Sequence, residues 1–209
     1  IKSLNNVNLF CTNKQKDFMP LDITPADKNT DLDCWLVFGG DGTILSAVDF
    51  SLANQAPILG INTGKLGFLT DFSLSDTSKY LPLLFNKNFN TIQRMLLETH
   101  VTRKGKLIYK GYALNDAVIY KGLVSRLINI RFSSSGKFVL ETRCDGIIAA
   151  TPTGSTAYSL SAGGPILVPE MEALIVAALC PHVLSVRPMV FPSSDTLTFK
   201  MSKIYNETM

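Results

Sequence analysis

Four short segments of the chain concentrate residue types that could do chemistry. In Gly39-Gly40-Asp41-Gly42-Thr43 small residues surround a single carboxylate. Glycines let a ligand approach the backbone, and a helix beginning there would offer free N–H groups and a positive dipole end to phosphate. A carboxylate repels phosphate, so Asp41 must serve another purpose, which is to take a proton from an attacking hydroxyl, to orient it, or to work through a metal ion. A Gly-rich turn closed by an Asx-type bond from Asp41 is the alternative this segment leaves open. No Gly-Lys-Ser/Thr follows, so it is not a Walker A loop, and it does not match G-x-G-x-x-G.

The second segment runs from Gly60 to Thr70 and holds Gly60, Gly64 and Gly67. Three glycines so close predict unusual dihedrals or a close ligand approach, and Phe68 offers a flat surface to an adenine, although a lone aromatic near a turn is more often part of a core. The third is Asn115-Asp116, whose acceptors fit ribose hydroxyls or an adenine amine, although taken alone the pair reads better as a turn. The fourth begins with Arg143, Cys144, Asp145 and Gly146 and continues through the hydroxyl-rich run from Thr151 to Pro165. Hydroxyls and N–H groups before a short helix suit phosphate or ribose. A capped helix with a salt bridge between Arg143 and Asp145 explains part of that pattern. Ordering so many Gly, Ser and Thr residues is otherwise costly unless something binds.

The elements that must hold these segments follow from periodicity. Val7 to Cys11 and Leu32 to Phe38 read as strands, the second stopping at Gly39-Gly40. Between them lies a polar stretch too short for both a crossover helix and another strand. Ile44, Leu45, Val48 and Leu52 recur at helical spacing behind Thr43, so a helix is expected from Thr43, as N-cap, to about Ala53. Pro57 to Ile61 is the next strand. Strand, helix, strand in this order implies parallel pairing through a right-handed crossover. A weaker helix from Asp76 to Phe85, interrupted by Pro82, closes an α/β domain over residues 1–90.

From Thr91 the texture alternates, with Met95, Leu97, Thr99 and Val101 on one side. Further strands are expected at Leu107–Tyr112, Ala117–Tyr120, Leu127–Phe132, Phe138–Thr142, Gly146–Ala150, Ala173–Cys180, Val183–Val190 and Thr196–Met201, with a short helix near Thr156–Ala162. Residues 91–209 thus form a β-rich domain of antiparallel character, with no internal repeat.

The chain has 209 residues, 46% hydrophobic and 18% charged, with a net charge of +3. That is a globular composition, too balanced for a nucleic-acid or polybasic membrane-surface protein. Cys11, Cys34, Cys144 and Cys180 show no C-x-x-C pair, and His100 and His182 are the only histidines. Neither a zinc site nor a disulfide framework is expected. No apolar run approaches the length of a membrane span and no signal peptide is visible, so a cytoplasmic location is expected. The start at Ile1 and the end just after a strand-like run lead us to expect that both native ends lie outside this sequence.

Taken together, in this order and spacing, the four segments and the stretch from Cys180-Pro181-His182 to Arg187-Pro188 closely resemble the bacterial-type NAD kinase family, over Leu32 to Pro192. The Gly-Gly-Asp-Gly-Thr turn alone is shared with diacylglycerol and sphingosine kinases and with phosphofructokinases. The resemblance implies a Rossmann-like α/β domain with an open parallel sheet, followed by a β-sandwich domain, with the ligand site in the cleft between them. It also implies transfer of the γ-phosphoryl group of ATP, or a phosphoryl of polyphosphate, to the 2′-hydroxyl of the adenosine ribose of NAD. Mg²⁺ or another divalent cation would arrive with the donor; no protein-held metal site is expected.

Carried over residue by residue, Asp41 matches the family's proton acceptor, with Gly40, Gly42 and Asn62 beside the dinucleotide. Phe68 matches the aromatic of the adenine pocket, and Asn115 and Asp116 match the pair that holds ribose hydroxyls. Arg126 sits where the family often has a basic residue, and Arg143 and Asp145 match further dinucleotide contacts. Thr156, Ala157, Tyr158 and Ser161 match the run around the nicotinamide side and its neighbouring subunit, so a homodimer or homotetramer with a shared site is implied. His182 and Arg187 are read as structural. Cys144 departs from the family's commoner Ala, Gly or Ser, and the chain stops before the family's last strands. Two other readings stay open: a lipid kinase built on the same turn, for which the polar run from Thr151 to Gly164 is ill suited, and a non-catalytic dinucleotide sensor.

Overall fold

The computed structural model describes residues 7–19, 23–27, 29–64, 67–70, 72–122 and 126–201. Two compact units emerge, Ile1–Thr91 and Ile92–Met209.

In the first unit, β1 (Phe10–Cys11) and β2 (Thr24–Pro25) form a two-residue parallel ladder. The polar stretch after β1 accommodates a 3₁₀ turn at Asn13–Phe18 as well as β2, because both are minimal forms of the helix and strand for which it looked too short. The main sheet is β3 (Trp35–Phe38), β4 (Ile58–Asn62) and β5 (Phe72–Ser73), all parallel. β3 is shorter than the apolar run from Leu32 suggests. Between β3 and β4 lies α1 (Asp41–Asn54). It starts two residues before Thr43, and Gly40, not Thr43, is its N-cap. The main-chain oxygen of Gly40 accepts from the N–H groups of Thr43 and Ile44, at 2.9 and 3.3 Å. Asp41 therefore stands in the first turn, where its charge suits the dipole. Ile44, Ala47 and Val48 are buried, whereas Leu52, expected on the same face, is exposed. Gly60 in β4 lies against Ile44: a Cβ there would come within 2.7 Å of its Cδ1. Next comes α2 (Thr77–Phe85), with Pro82 inside it.

The second unit is antiparallel throughout its described strands. A hairpin of β6 (Leu97–Arg103) and β7 (Lys106–Ala113) comes first. Then follow β8 (Asp116–Tyr120), β9 (Ile128–Ser134), β10 (Lys137–Cys144) and β11 (Gly146–Ala150). A 3₁₀ turn (Thr153–Thr156) leads to a single helical turn, α3 (Tyr158–Ser161), where one short helix was expected. The strands β12 (Ala173–Leu179), β13 (Met189–Pro192) and β14 (Leu197–Met201) complete the unit. The two-residue connections Lys104-Gly105 and Ser135-Gly136 both have positive φ, which matches hairpin turns to the strand twist.

The order β13-β12-β11-β8 defines a four-stranded sheet and β10-β9-β14 a three-stranded one. Their facing sides share a core: Ile128, Ile130 and Phe132 of β9 and Cys144 of β10 pack with Ile147 of β11 and Val176 of β12. Alternate residues Ile148, Ala150 and Ile175 point to the other face and pack with Leu167 and Ala162. Because both faces of the β11–β12 pair are covered, their sequences are apolar without alternation.

The strand expected at Val183–Val190 is not there. Residues 183–188 are loop, and β13 begins only at Met189. Val183 and Leu184 face solvent, Leu184 at 87% exposure, and of this apolar run it is Met189, in β13, that packs against the core between the sheets. No helix among the described residues is long and apolar enough to cross a membrane.

Candidate active site

The first unit brings the first two segments together. Asp41, one residue into α1, extends its carboxylate to the loop after β4. There Oδ2 accepts from the N–H of Phe68 at 2.9 Å and Oδ1 from that of Leu69 at 3.0 Å. The carboxylate therefore closes a contact across 27 residues, not an Asx-type bond within its own turn. Phe68 is 73% exposed, so it is no core residue. Below them Asn62 ends β4, buried, and its amide organises the loop: Nδ2 donates to Thr70 Oγ1 at 2.9 Å, and Oδ1 accepts from the N–H of Gly64 at 2.7 Å. Neither Gly60 nor Gly64 has a positive φ. At Gly60 and Gly67 a side chain is excluded by neighbouring protein atoms. Gly40 and Gly42 have open space where a Cβ would be.

The second unit joins the third segment to the fourth. β8 pairs with β11 so that Asp116 lies opposite Ala150. Just beyond, the N–H of Thr151 donates to the oxygen of Asn115 at 2.9 Å and Thr151 Oγ1 to that of Leu114 at 2.5 Å. Gly154 follows at such close range that a Cβ would sit 2.1 Å from the Asn115 oxygen. Burial raises the carboxyl pKa of Asp116 above the usual range.

The hydroxyl-rich run divides in two. Thr151, Thr153, Ser155 and Ser159 are buried. Thr151 Oγ1 also accepts from the N–H of Gly154 at 3.1 Å, while Ser155 Oγ donates to the oxygen of Leu167 at 3.3 Å and accepts from its N–H at 3.0 Å. Thr151 and Ser155 thus hold the layer that covers the outer face of β11 and β12 and need no bound ligand to account for them, whereas the buried hydroxyls of Thr153 and Ser159 have no hydrogen-bond partner among the described residues. Thr156, Ala157, Tyr158 and Ser161 are the accessible remainder.

Arg143, at the end of β10, and Arg126 are exposed. Asp145 is paired with Lys121, whose Nζ lies 2.6 Å from Asp145 Oδ1, both side chains being largely covered. The hydrogen bond to Asp145 pushes the Lys121 ammonium pKa upward. This is not the Arg143–Asp145 bridge that sequence proximity suggested, and Lys121 is a residue that sequence reasoning missed. Its signal lay in the register: Gly146 faces Tyr120, so the residues just outside that pair, Asp145 and Lys121, meet. Arg187 donates to the main-chain oxygens of Leu184 and Val186, which fits the structural role read for it, and the N–H of His182 donates to the Arg143 oxygen. No cluster of three or more potential metal ligands occurs among the described residues.

Family models for the ATP-NAD kinase N-terminal and C-terminal domains match residues 6–89 and 114–209. The chain belongs to the NAD kinase family. It is 42% identical over 174 residues to the NAD kinase of Aquifex aeolicus, covering 83% of this chain and 64% of that protein. With the NAD kinase of Chromohalobacter salexigens it shares 43% over 171 residues, 82% of this chain and 58% of that protein. The chain thus spans about three-fifths of the length of these NAD kinases. Among solved structures, yeast NADH kinase complexed with NADH superposes with a TM-score of 0.78 at 34% identity, covering 86% of this chain and 55% of that one. An NAD kinase from Archaeoglobus fulgidus in complex with ATP superposes with a TM-score of 0.68 at 27% identity, covering 92% and 79%.

Proposed function

We propose that this chain carries the activity of an NAD kinase, moving the γ-phosphoryl group of ATP to the 2′-hydroxyl of the adenosine ribose of NAD. The observation that carries this reading is the Asp41 carboxylate, held by two backbone N–H groups beside the exposed ring of Phe68. An ionised carboxylate has about four acceptor positions, so two remain for a substrate hydroxyl. In the proposed step the 2′-oxygen attacks the γ-phosphorus, the bond from that phosphorus to the β,γ-bridging oxygen breaks, ADP leaves, and the hydroxyl proton passes to Asp41. Mg²⁺ enters as part of the donor and neutralises the triphosphate. Phe68 stacks on the adenine, with Gly40 and Gly42 leaving room at the helix start and Asn62 shaping the loop. Asn115 and Asp116 take ribose hydroxyls. Arg126, Arg143, Asp145, Thr156, Ala157, Tyr158 and Ser161 supply the remaining dinucleotide contacts. Polyphosphate is the second donor to be tried, and the proposal extends to a homodimer or homotetramer with a shared site, acting in the cytoplasm.

The test is NADP formation from NAD with ATP and with polyphosphate, beside diacylglycerol and a sphingoid base as acceptors. Asp41→Asn should lower kcat by about 100- to 10,000-fold, the usual cost of losing a positioned base, with the dissociation constant for NAD changed by less than about threefold. Absence of NADP with either donor, or undiminished turnover by the variant, would overturn the assignment.

A further inference from the structure

Gly67 directly precedes the two residues whose N–H groups hold Asp41. What a side chain there would meet is specific. The three nearest heavy atoms to a Cβ at position 67 are Asp41 Oδ1 at 2.2 Å, Cγ at 2.6 Å and Oδ2 at 2.8 Å, all of one carboxylate. The next two residues donate their N–H groups to those same oxygens. Backbone 67–69 therefore wraps the carboxylate, the bare Cα of Gly67 on one side and two donors beyond it. The far part of the loop is pinned by the buried bond from Asn62 to Thr70.

We propose that Gly67 is a positioning residue for Asp41: its missing side chain lets the loop close on the carboxylate and sets the direction of the acceptor positions left for the substrate hydroxyl. The catalytic part of this inference rests on the NAD kinase reading. Because the obstacle is the rotatable end of a side chain and not backbone, an alanine at 67 displaces the carboxylate without opening the fold. Its cost falls on orientation, where a shift of about 1 Å can reduce turnover by about 100-fold.

Gly67→Ala should lower kcat by at least about tenfold, with the dissociation constant for NAD within about threefold of the parent and the chain still folded cooperatively. In an Asp41→Asn background the same substitution should add little, since the group it acts through is gone. A kcat within about twofold of the parent, or an equal further loss in the Asp41→Asn background, would overturn the inference. A readout independent of turnover is the amide proton resonances of Phe68 and Leu69. They should move upfield in Gly67→Ala by an amount comparable to that in Asp41→Ala. Unmoved resonances would sink the positioning role even if the chain is an NAD kinase. Moved resonances in a chain that makes no NADP would keep the geometry and reject the kinase reading.

Discussion

Gly67 and Gly154 lie in the two ligand-suited regions of the chain and exclude a side chain for opposite reasons. Around Gly67 the crowding atoms are the end of a rotatable carboxylate, whereas around Gly154 they are the oxygen, carbonyl carbon and Cα of Asn115. The same contrast runs through both regions. In the first unit, backbone N–H groups are spent on holding one side chain, Asp41. In the second, side-chain hydroxyls are spent on holding backbone, through Thr151 and Ser155. One arrangement fixes a functional group at little cost to the fold; the other fixes the fold and leaves only its exposed residues for a ligand.

The sharpest way to break this contrast is to put the same methyl group at both glycines. Gly154→Ala forces backbone against backbone in a layer that covers buried Ile148 and Ile175. It should cost stability at the upper end of the about 1–3 kcal/mol typical of overpacking, or more. Gly67→Ala should cost less, about 1–2 kcal/mol, since it disturbs a rotatable carboxylate and its hydrogen bonds to an exposed loop and leaves the packed backbone in place. Thermal or urea unfolding of the two variants decides. Equal losses would show that the loop around Asp41 is as much a structural element as the segment from Thr151 to Ser155.

The parts of this contrast that were visible in the sequence are those carried by local pattern. The order of strand, helix, strand followed Trp35–Phe38, Ile44, Val48 and Ile58–Ile61. The apolar runs at Gly146–Ala150 and Ala173–Cys180 marked strands, although that both their faces are covered is visible only in the fold. Asp41 stood out because a carboxylate among glycines needs a purpose. What stayed hidden was pairing at long range. Nothing local says that the N–H groups of Phe68 and Leu69 find Asp41, or that Asp145 meets Lys121 instead of Arg143. The apolar run at Val183–Val190 misled because hydrophobicity reports a tendency to be covered and not what does the covering. The helix start was missed by two residues because Gly40 supplies its backbone oxygen as cap, while Asp41 sends its carboxylate to another loop.

A smaller effect is expected at Asp116, where the second unit holds a carboxylate without the N–H fork that the first provides for Asp41. Burial raises its folded pKa, so ionising it costs more in the native state than in the unfolded chain. The sign follows from proton counting: with the native pKa above the unfolded value of about 3.9, the native state holds more protons as pH rises through this window, and stability falls. Asp116→Asn removes that loss. Its Tm relative to the parent should rise between about pH 3 and neutrality, even as ribose binding weakens. A Tm difference that does not change with pH would mean that the carboxylate is not held in the burial-dominated state described here.

The smallest expected effect on the fold is at Tyr158, and it separates the exposed remainder of the hydroxyl-rich run from its buried scaffold. Tyr158 opens the single turn of α3 with 45% of its surface exposed, whereas Ser155, three residues earlier, is fully buried with its hydroxyl bonded to the backbone of Leu167. A ring so accessible stabilises little, so Tyr158→Ala should change unfolding free energy by no more than about 0.5 kcal/mol. If its ring lies against the dinucleotide, its loss removes a contact of about 0.5–1.5 kcal/mol, and the dissociation constant for NAD should rise by roughly two- to tenfold. Calorimetric titration with NAD, paired with thermal unfolding of the same sample, measures both. Weaker binding at unchanged Tm assigns the exposed face of this turn to ligand. A lowered Tm with unchanged binding would instead place Tyr158 with Ser155, as part of the layer that covers the sheet.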